Sequence, residues 1–355
     1  MNLTSVSSLP SMRRLITSPL VGSLLAGLAL LQPGITHAQT AIRFQLDWRF
    51  EGPSALFLAA QAKGYFKEEK LDVTIDPGNG SGNAVNRVAA GTYDMGFADL
   101  AALMEFWGNN ANVPTRPVAV MMVYNNTPAA IFALKKSKIT KPSDLHGKRL
   151  GTPVFDAGRR AFPIFAAANS LDEKQISWTS MDPPLRETML VRGDVDAITT
   201  FTFTSLMGLN ARGVKDEDIV ILPYPQYGVK IYSNAVIASP KLIKENPEAV
   251  KAFLRALTKG IRDVIADPDA AVKMVKARDP IIDEALERKR LKLAIKGSIV
   301  TADAKAEGFG DVNDARLALM AAQVTDAFKL KERIDPKAVF TAEFLPPKAQ
   351  RNILK

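Results

Sequence analysis

Apolar and polar positions alternate along the chain in two rhythms, one typical of strands and one typical of helices. In the first third of the chain, strands are predicted at "AIRFQLD", "LDVTID", "MGFAD" and "PVAVMMVYNN". The segments between them repeat apolar residues at helical spacing, and Ser54 and Ser81 stand where two helices would begin. Strands that alternate with helices predict a parallel sheet covered by helices on both faces, which is an α/β fold.

The alternation restarts in the middle of the chain, where "GKRLGTPV", "ISWTSM", "AITTF" and "IVILPYP" predict four further strands. Beyond "IYSNAVIAS" the pattern is mostly helical, and we expect those helices to pack back on the first unit. Two α/β units predict two domains with a cleft between them. Domain I would take residues 39–130 and 229–355, and domain II residues 131–228. The chain would cross near Ala129 to Lys135 and near Tyr227 to Tyr232, and the two crossings would form a hinge.

The first 38 residues have the three parts of a secretory signal peptide. Arg13 and Arg14 precede an apolar run from Leu15 to Leu31, and a small-residue ending follows at Thr36 and Ala38. A membrane anchor is the alternative, but a spanning helix needs about 20 predominantly apolar residues and this run is interrupted. We therefore predict cleavage near Ala38 and export of the mature chain.

Charge and rare residues exclude several classes of function. The chain has 46 Lys and Arg against 37 Asp and Glu, and no basic run with interleaved aromatic residues indicates nucleic acid. Cysteine is absent, which excludes a cysteine nucleophile, a cysteine zinc site and a lipid-modified N-terminal cysteine. The mature chain keeps one histidine, His146, in a predicted turn. One histidine supplies neither a metal cluster nor a catalytic triad, so we predict no cofactor and no metal.

Five segments together resemble a known family. They are "LDW", "GYFKEEKLDV", "GNGSGNAVNRVAAGTYDMGFAD", "KPSDLHGKRLG" and "YGVKIYSNAVIASPKLIKENPEAVKAFLRA". Their order and spacing are similar to those of the periplasmic solute-binding proteins of ABC importers, in the branch that binds thiamine pyrimidine precursors; related branches bind sulfonates, taurine, nitrate or bicarbonate. The resemblance implies a type II periplasmic binding protein fold and a ligand in the interdomain cleft. It also implies a monomer in the periplasm that delivers its ligand to a membrane permease with its ATPase.

The candidate ligand-binding residues of the first unit follow its strands, because ligands of α/β sheets sit beyond the carboxyl ends of the strands. Trp48 would stack on a planar ligand and Asp47 would accept its N–H groups, although both could serve the core or their own loop instead. A Gly-rich loop would bring backbone close to the ligand. The remaining candidates of this unit are Gly80, Ser81, Gly82, Asn83, Asp99, Tyr124, Asn125 and Asn234. Asp99 could equally be a helix N-cap, and Asn234 could bond to backbone.

In the second unit, Gly158, Arg159 and Arg160 begin a helix after a strand. Free N–H groups and one of the two guanidinium groups would suit an anion there. The resemblance implies an acidic residue near "TTFTFTSL" to hold an amino-pyrimidine, but this chain has Thr200, Phe201 and Thr202 instead. That departure argues for a small organic anion. Tyr227, at the second crossing, is expected to close over the ligand.

The sequence therefore predicts the substrate-binding component of an ABC transporter that captures a small organic anion, such as a sulfonate or carboxylate. One alternative is a binding protein for a thiamine pyrimidine precursor or a similar neutral heterocycle. Another is a ligand-sensing subunit. An enzyme similar to the eukaryotic pyrimidine synthase fits less well, because that resemblance implies a reactive histidine and a Cys-rich motif. We expect a protein that is not an enzyme.

Overall fold

The computed structural model describes residues 39–353, and the predicted signal peptide lies outside the described residues. Its strands are β1 Thr40–Gln45, β2 Leu71–Asp76, β3 Met95–Asp99, β4 Val118–Met122, β5 Ala129–Leu134, β6 Arg149–Thr152, β7 Ser177–Ser180, β8 Ala197–Phe201, β9 Ile219–Pro223 and β10 Asn234–Ala238. Each of the strands predicted from the apolar pattern is present, and β5 and β10 are added to them.

The α-helices lie between and after these strands. They are α1 Ala55–Ala62, α2 Tyr65–Glu68, α3 Ser81–Ala89, α4 Leu100–Asn109, α5 Ala157–Ala168, α6 Arg186–Arg192, α7 Thr202–Asn210, α8 Pro240–Glu245, α9 Pro247–Ala266, α10 Pro268–Arg278, α11 Glu284–Ala294, α12 Ala302–Glu307, α13 Asp314–Ala327 and α14 Pro336–Val339. In residues 39–353, none of the helices has the length and apolar character that crossing a membrane requires.

The strands form two sheets, each with helices packed against it, so the predicted two-domain α/β class is confirmed. The first sheet has the order β2-β1-β3-β10-β4 and the second β7-β6-β8-β5-β9. We call residues 39–122 and 234–353 the first lobe, residues 129–223 the second lobe, and the two segments between them the links. The domain boundaries drawn from the sequence stay a prediction.

Both sheets are mixed, so the prediction of a parallel sheet was wrong in this detail. Strand β10 runs antiparallel to β3 and β4, and β5 runs antiparallel to β8 and β9. Each of these strands starts where its neighbours end: Asn234 pairs with Asp99, and Ala129 pairs with Phe201. A link that enters a sheet at the carboxyl ends of its strands must continue into a strand that runs in the opposite direction. This explains the reversed direction of β5 and β10.

Residues 129–134, predicted as a crossing, form a strand inside the second sheet. The first link is therefore residues 123–128, and the second runs through residues 224–233. Strand β5 is buried along its whole length, because its six residues are apolar and lie between two neighbouring strands. A fully apolar run gives no alternation from which its place in the second sheet could be recognised.

The helices after β10 return to the first lobe, as predicted. Helix α9 packs on α1, and the Phe253 ring stacks on Phe44 at 5.1 Å and on Phe66 at 4.9 Å. Asn246 caps the start of α9 by accepting from the Ala249 N–H at 3.1 Å, and Pro247 occupies its first turn. This packing fixes β1, whose carboxyl end carries the first candidate residues.

Candidate ligand-binding site

A cavity of about 50 Å³ lies beyond the carboxyl ends of the strands, between the two lobes. The first lobe contributes the segment after β1, the 3₁₀ turn Gly52–Ser54 and the start of α3. The second lobe contributes the segment before α5 and the first residues of α6 and α7. The cavity is thus built from both lobes, as ligand sites in α/β proteins are where loops converge at strand ends.

Aromatic rings form one wall of the cavity. They are Trp48, Phe57, Phe97, Tyr124, Phe201 and Phe203. Tyr124, in the first link, packs edge-on against Phe97 at 5.2 Å and against Phe203 at 5.9 Å. Because Phe97 belongs to the first lobe and Phe203 to the second, this cluster connects the lobes. Flat apolar faces of this kind suit a planar ligand.

Asp47 follows β1 and faces the cavity. Its Oδ2 accepts from the Asn234 Nδ2 at 2.7 Å, and its backbone carbonyl accepts from the Gly80 N–H at 2.7 Å. Burial raises the pKa of Asp47 to about 7, although the hydrogen bond from Asn234 acts in the opposite direction. The side chain is half-buried because one side looks into the cavity. Asp47 therefore presents an acceptor that is easily protonated.

Glu51 brings a second carboxylate to the cavity from the same lobe. It pairs with the Arg290 Nη1 at 2.6 Å and with the Arg49 Nη2 at 3.2 Å. Arg290 also pairs with Glu287 at 3.1 Å, and burial raises the pKa of Glu287 to about 7. The Thr204 hydroxyl of the second lobe lies 3.5 Å from the Glu51 carboxylate. The charge of Glu51 is thus balanced within the first lobe.

A matching cluster stands in the second lobe. Asp156 caps α5 by accepting from the Arg159 N–H at 3.0 Å, and it pairs with the Arg186 Nη1 at 3.1 Å. Burial raises the pKa of Asp156. Arg186 is 1% exposed and is also held by Glu187 at 3.0 Å, so two carboxylates balance one guanidinium. This guanidinium lies over the Trp48 ring at 4.8 Å, across the cavity from its own lobe.

Further contacts join the lobes around the cavity. The Gly82 N–H donates to the Phe155 carbonyl at 3.1 Å, and the Arg160 Nη1 lies 2.8 Å from the Glu105 Oε1. A Cβ at Gly80 would meet the Phe155 carbonyl at 2.3 Å, and Gly80 has a φ of +137°. Only glycine fits there, so the loop before α3 approaches the second lobe backbone to backbone.

The structure brings six of the predicted candidates to the cavity: Asp47, Trp48, Gly80, Ser81, Tyr124 and Phe201. The candidates outside its lining are Gly82, Asn83, Asp99, Asn125, Gly158, Arg159, Arg160, Thr200, Thr202, Tyr227 and Asn234. Ligand contact by any of these residues stays a prediction. Gly82 and Asn234 still touch the site through the contacts just described.

Both arginines of the predicted anion site lie elsewhere. Arg159 sits over the Trp178 ring at 4.7 Å and Arg160 pairs with Glu105, so neither guanidinium lines the cavity. The start of α5 is instead filled by the side chain of Asp156. Neither arginine therefore lines this cavity, and anion binding by them stays a prediction.

Several other candidates have structural partners. Asp99 caps α4 by accepting from the Ala101 N–H at 2.9 Å and also accepts from the Ser233 hydroxyl; burial raises its pKa to about 6. Thr200 accepts from the Ser205 hydroxyl at 2.7 Å. The Tyr227 ring packs edge-on against Phe165 at 6.0 Å, within the second lobe. These contacts account for the three residues without a ligand.

Sequence reasoning missed Glu51, Asp156, Arg186, Phe203 and Thr204. Asp156 could have been found, because it stands between a strand and a helix as Asp47 does. Arg186 and Glu187 gave no signal, since adjacent opposite charges on a helix usually face solvent. No group of three or more His, Cys, Asp or Glu residues in the described part of the chain could hold a metal ion.

A family model described as "NMT1/THI5 like" matches residues 53–271. The chain belongs to this family. Among curated relatives it is 26% identical to a riboflavin-binding protein of Chloroflexus aurantiacus, over 72% of this chain and 70% of that one. It is also 26% identical to the 4-amino-5-hydroxymethyl-2-methylpyrimidine phosphate synthase of Aspergillus parasiticus, over 70% of this chain and 73% of that one.

Solved structures show the same architecture. The alkanesulfonate-binding protein of Xanthomonas axonopodis, bound to MOPS, superposes with a TM-score of 0.65 at 16% identity, over 87% of this chain and 98% of that one. At this identity the likeness establishes the fold alone. The predicted type II periplasmic binding protein fold and the predicted solute-binding component are confirmed at the level of family and fold.

Proposed function

We propose that this family member captures a flat, uncharged heterocycle with N–H or amino groups and delivers it to a membrane permease. The observation that supports this most is the composition of the cavity. Six aromatic rings stand beside three carboxylates. Glu51 and Asp156 are paired with arginines, whereas Asp47 accepts only from an amide and offers an acceptor to a ligand. The polar groups around a flat ring in this cavity are therefore mostly acceptors, and a ring that donates hydrogen bonds complements them.

An anion is the weaker candidate because no cation of the cavity is available to it. Arg186 is already held by two carboxylates, and Arg49 pairs with Glu51. An anionic ligand would lose its hydration and then face more carboxylates than guanidinium groups. The two curated relatives are named for riboflavin and for a substituted pyrimidine; both compounds contain flat nitrogen rings, which supports the same class of ligand.

Binding rather than catalysis is proposed, although one relative is named as a synthase. The sequence has no cysteine, and the His146 ring accepts from the Asp172 N–H at 3.3 Å on the second lobe, away from the cavity lining. Among residues 39–353, neither residue type is thus available to react with a ligand in the cavity. A monomer in the periplasm, exported by the signal peptide predicted in residues 1–38, completes the proposal.

The test is a thermal-shift screen followed by calorimetry. Riboflavin and 4-amino-5-hydroxymethyl-2-methylpyrimidine represent the proposed class, and MOPS, taurine and nitrate represent the anions. A ligand at about 100 times its dissociation constant adds roughly 2.7 kcal/mol of stability. We expect a heterocycle to give the largest shift, and Trp48→Ala to abolish it while Trp178→Ala does not. If an anion gives the largest shift, the proposal is wrong.

A further inference from the structure

Two hydrogen-bonding groups at the cavity have no partner among residues 39–353. They are the Trp48 indole N–H and the Ser81 hydroxyl, and both atoms are shielded from solvent. Ser81 is only 1% exposed. Buried polar groups in folded proteins are nearly always paired, so two unpartnered groups in the lining of one cavity indicate that something else binds them.

The two residues are close to Asp47 along the backbone, because local hydrogen bonds hold these segments together. Trp48 follows Asp47 directly, and its carbonyl accepts from the Gly78 N–H at 2.9 Å. Ser81 begins α3 directly after Gly80, whose N–H donates to the Asp47 carbonyl. The partial positive charge at a helix start also favours an acceptor atom near Ser81. We call the part of the cavity lining formed by Asp47, Trp48 and Ser81 the polar corner; it brings two donors and one carboxylate to the cavity.

The orientation of Trp48 is fixed from the opposite side. Arg186 covers the indole ring at 4.8 Å and is itself held by Asp156 and Glu187. Because two carboxylates hold the Arg186 guanidinium, it has little freedom to move, and its contact fixes the orientation of the Trp48 indole and its N–H. Trp48 thus presents a directed donor as well as a stacking surface.

From this geometry, and resting on the function proposed above, we propose that Trp48 and Ser81 together bind a neutral acceptor atom of the ligand. The acceptor is a ring nitrogen or a ring carbonyl oxygen, next to the amino or N–H group that Asp47 binds. A charged oxygen does not fit this corner, because the carboxylates of Asp47, Glu51 and Asp156 line the same cavity. The ligand class narrows to heterocycles in which a donor and an acceptor are adjacent, as in an amino-pyrimidine or a lactam.

Two small probe molecules distinguish binding of the acceptor atom from binding of the aromatic ring and its amino group. In 4-aminopyrimidine a ring nitrogen lies beside the amino group, whereas aniline keeps the ring and the amino group without that nitrogen. Both are measured at pH 8 by ligand-observed NMR titration on wild type, Trp48→Phe, Ser81→Ala and Ser81→Thr. Trp178→Phe is the matched control, because Trp178 packs under Arg159 outside the cavity. Thermal unfolding checks that each variant is folded.

Wild type should bind 4-aminopyrimidine about tenfold more tightly than aniline, as expected for one or two hydrogen bonds. In Trp48→Phe and in Ser81→Ala this ratio should fall by about three- to tenfold, with aniline binding unchanged within about twofold. Ser81→Thr and Trp178→Phe should keep the wild-type ratio. A Ser81→Thr ratio as low as that of Ser81→Ala would mean that the hydroxyl does not bind the acceptor.

The outcomes distinguish this inference from the function it rests on. If both probes bind and the ratio of their affinities is the same in every variant, Trp48 and Ser81 do not bind the acceptor atom. The proposed heterocycle site would still stand. A fall in only one of the two variants also overturns the pairing, and assigns the acceptor to a single donor. If neither probe binds to wild type and the heterocycles of the screen give no shift, both proposals fail.

Discussion

Replacing Asp47 by Asn should stabilise the ligand-free protein at high pH. The folded-state pKa of Asp47 is about 7, against an ordinary value of 3.8, because burial disfavours its charged form. A raised pKa means that this residue's contribution to stability is complete below about pH 4 and is lost as the pH rises through 7. The pKa rises by about 3, and each unit is worth about 1.4 kcal/mol, so the loss amounts to about 4 kcal/mol.

The Asp47→Asn side chain keeps the shape of Asp47 and has no charge to bury. Its carbonyl oxygen can still accept from the Asn234 Nδ2, which now lies 2.7 Å from the Asp47 carboxylate. The difference in free energy of unfolding between variant and wild type should therefore grow by about 3 to 4 kcal/mol between pH 4 and pH 8. The same variant should bind the best ligand of the thermal-shift screen more weakly, because the Asn side chain has one acceptor oxygen where the Asp carboxylate has two.

Urea unfolding followed by circular dichroism, at pH 4, 6 and 8 without ligand, measures this difference. Asp144→Asn is the matched control, because hydrogen bonds from the Thr140 N–H and hydroxyl lower the pKa of Asp144 on the surface. Because the pKa of Asp144 is lowered, its ionised form stabilises the folded protein above the ordinary pKa of 3.8. Asp144→Asn should therefore lose stability relative to wild type as the pH rises. An Asp47→Asn difference that is flat from pH 4 to pH 8 would refute the reasoning.

Three further changes test the packing around the site. Gly80→Ala should destabilise the protein by about 1 to 3 kcal/mol through strain, whereas Gly91→Ala, which meets no atom within 4 Å, should cost less in the same urea titration. Phe253→Ala should cost about 3 to 5 kcal/mol, because its ring stacks on two others in the core; a loss below 1 kcal/mol would contradict that packing. Arg160→Ala should weaken the contact between the lobes and raise the radius of gyration measured by X-ray scattering, while leaving probe selectivity unchanged. Glu105→Ala should raise the radius of gyration by the same amount. Unequal changes would mean that the 2.8 Å ion pair between Arg160 and Glu105 does not hold the lobes together.

Most of the fold could be predicted because the apolar pattern reports burial directly. Strands such as β2, which reads buried and exposed in turn, and helices such as α9, with its apolar face, follow from their periods. Strand direction could not be predicted, since β10 has the same composition whichever way it runs. Its direction follows from where the second link enters the sheet, a property of the chain path.

Residues that line the cavity could be predicted where they follow strand ends, and could not be predicted where they depend on pairing between distant residues. Asp47 and Trp48 lie directly after a strand, which is a local property of the sequence. Arg186 reaches the cavity because Asp156, thirty residues earlier, pairs with it and the second lobe places it over Trp48. Arg159 and Arg160 were expected there for a local reason, but a nearby tryptophan and a glutamate on the first lobe hold them outside.

On the proposals above, the groups that would select the ligand would also make the cavity costly to close without one. With the lobes in contact, the Asp47 carboxylate is poorly hydrated and the Trp48 and Ser81 groups are unpartnered. A ligand that donates to Asp47 and accepts from the other two would remove these costs only when both lobes surround it. Since a ligand shifts a conformational equilibrium only by its difference in affinity for the two states, these groups would supply that difference. On the function proposed here, the polar corner would thus both select the heterocycle and drive closure, which a permease could then recognise.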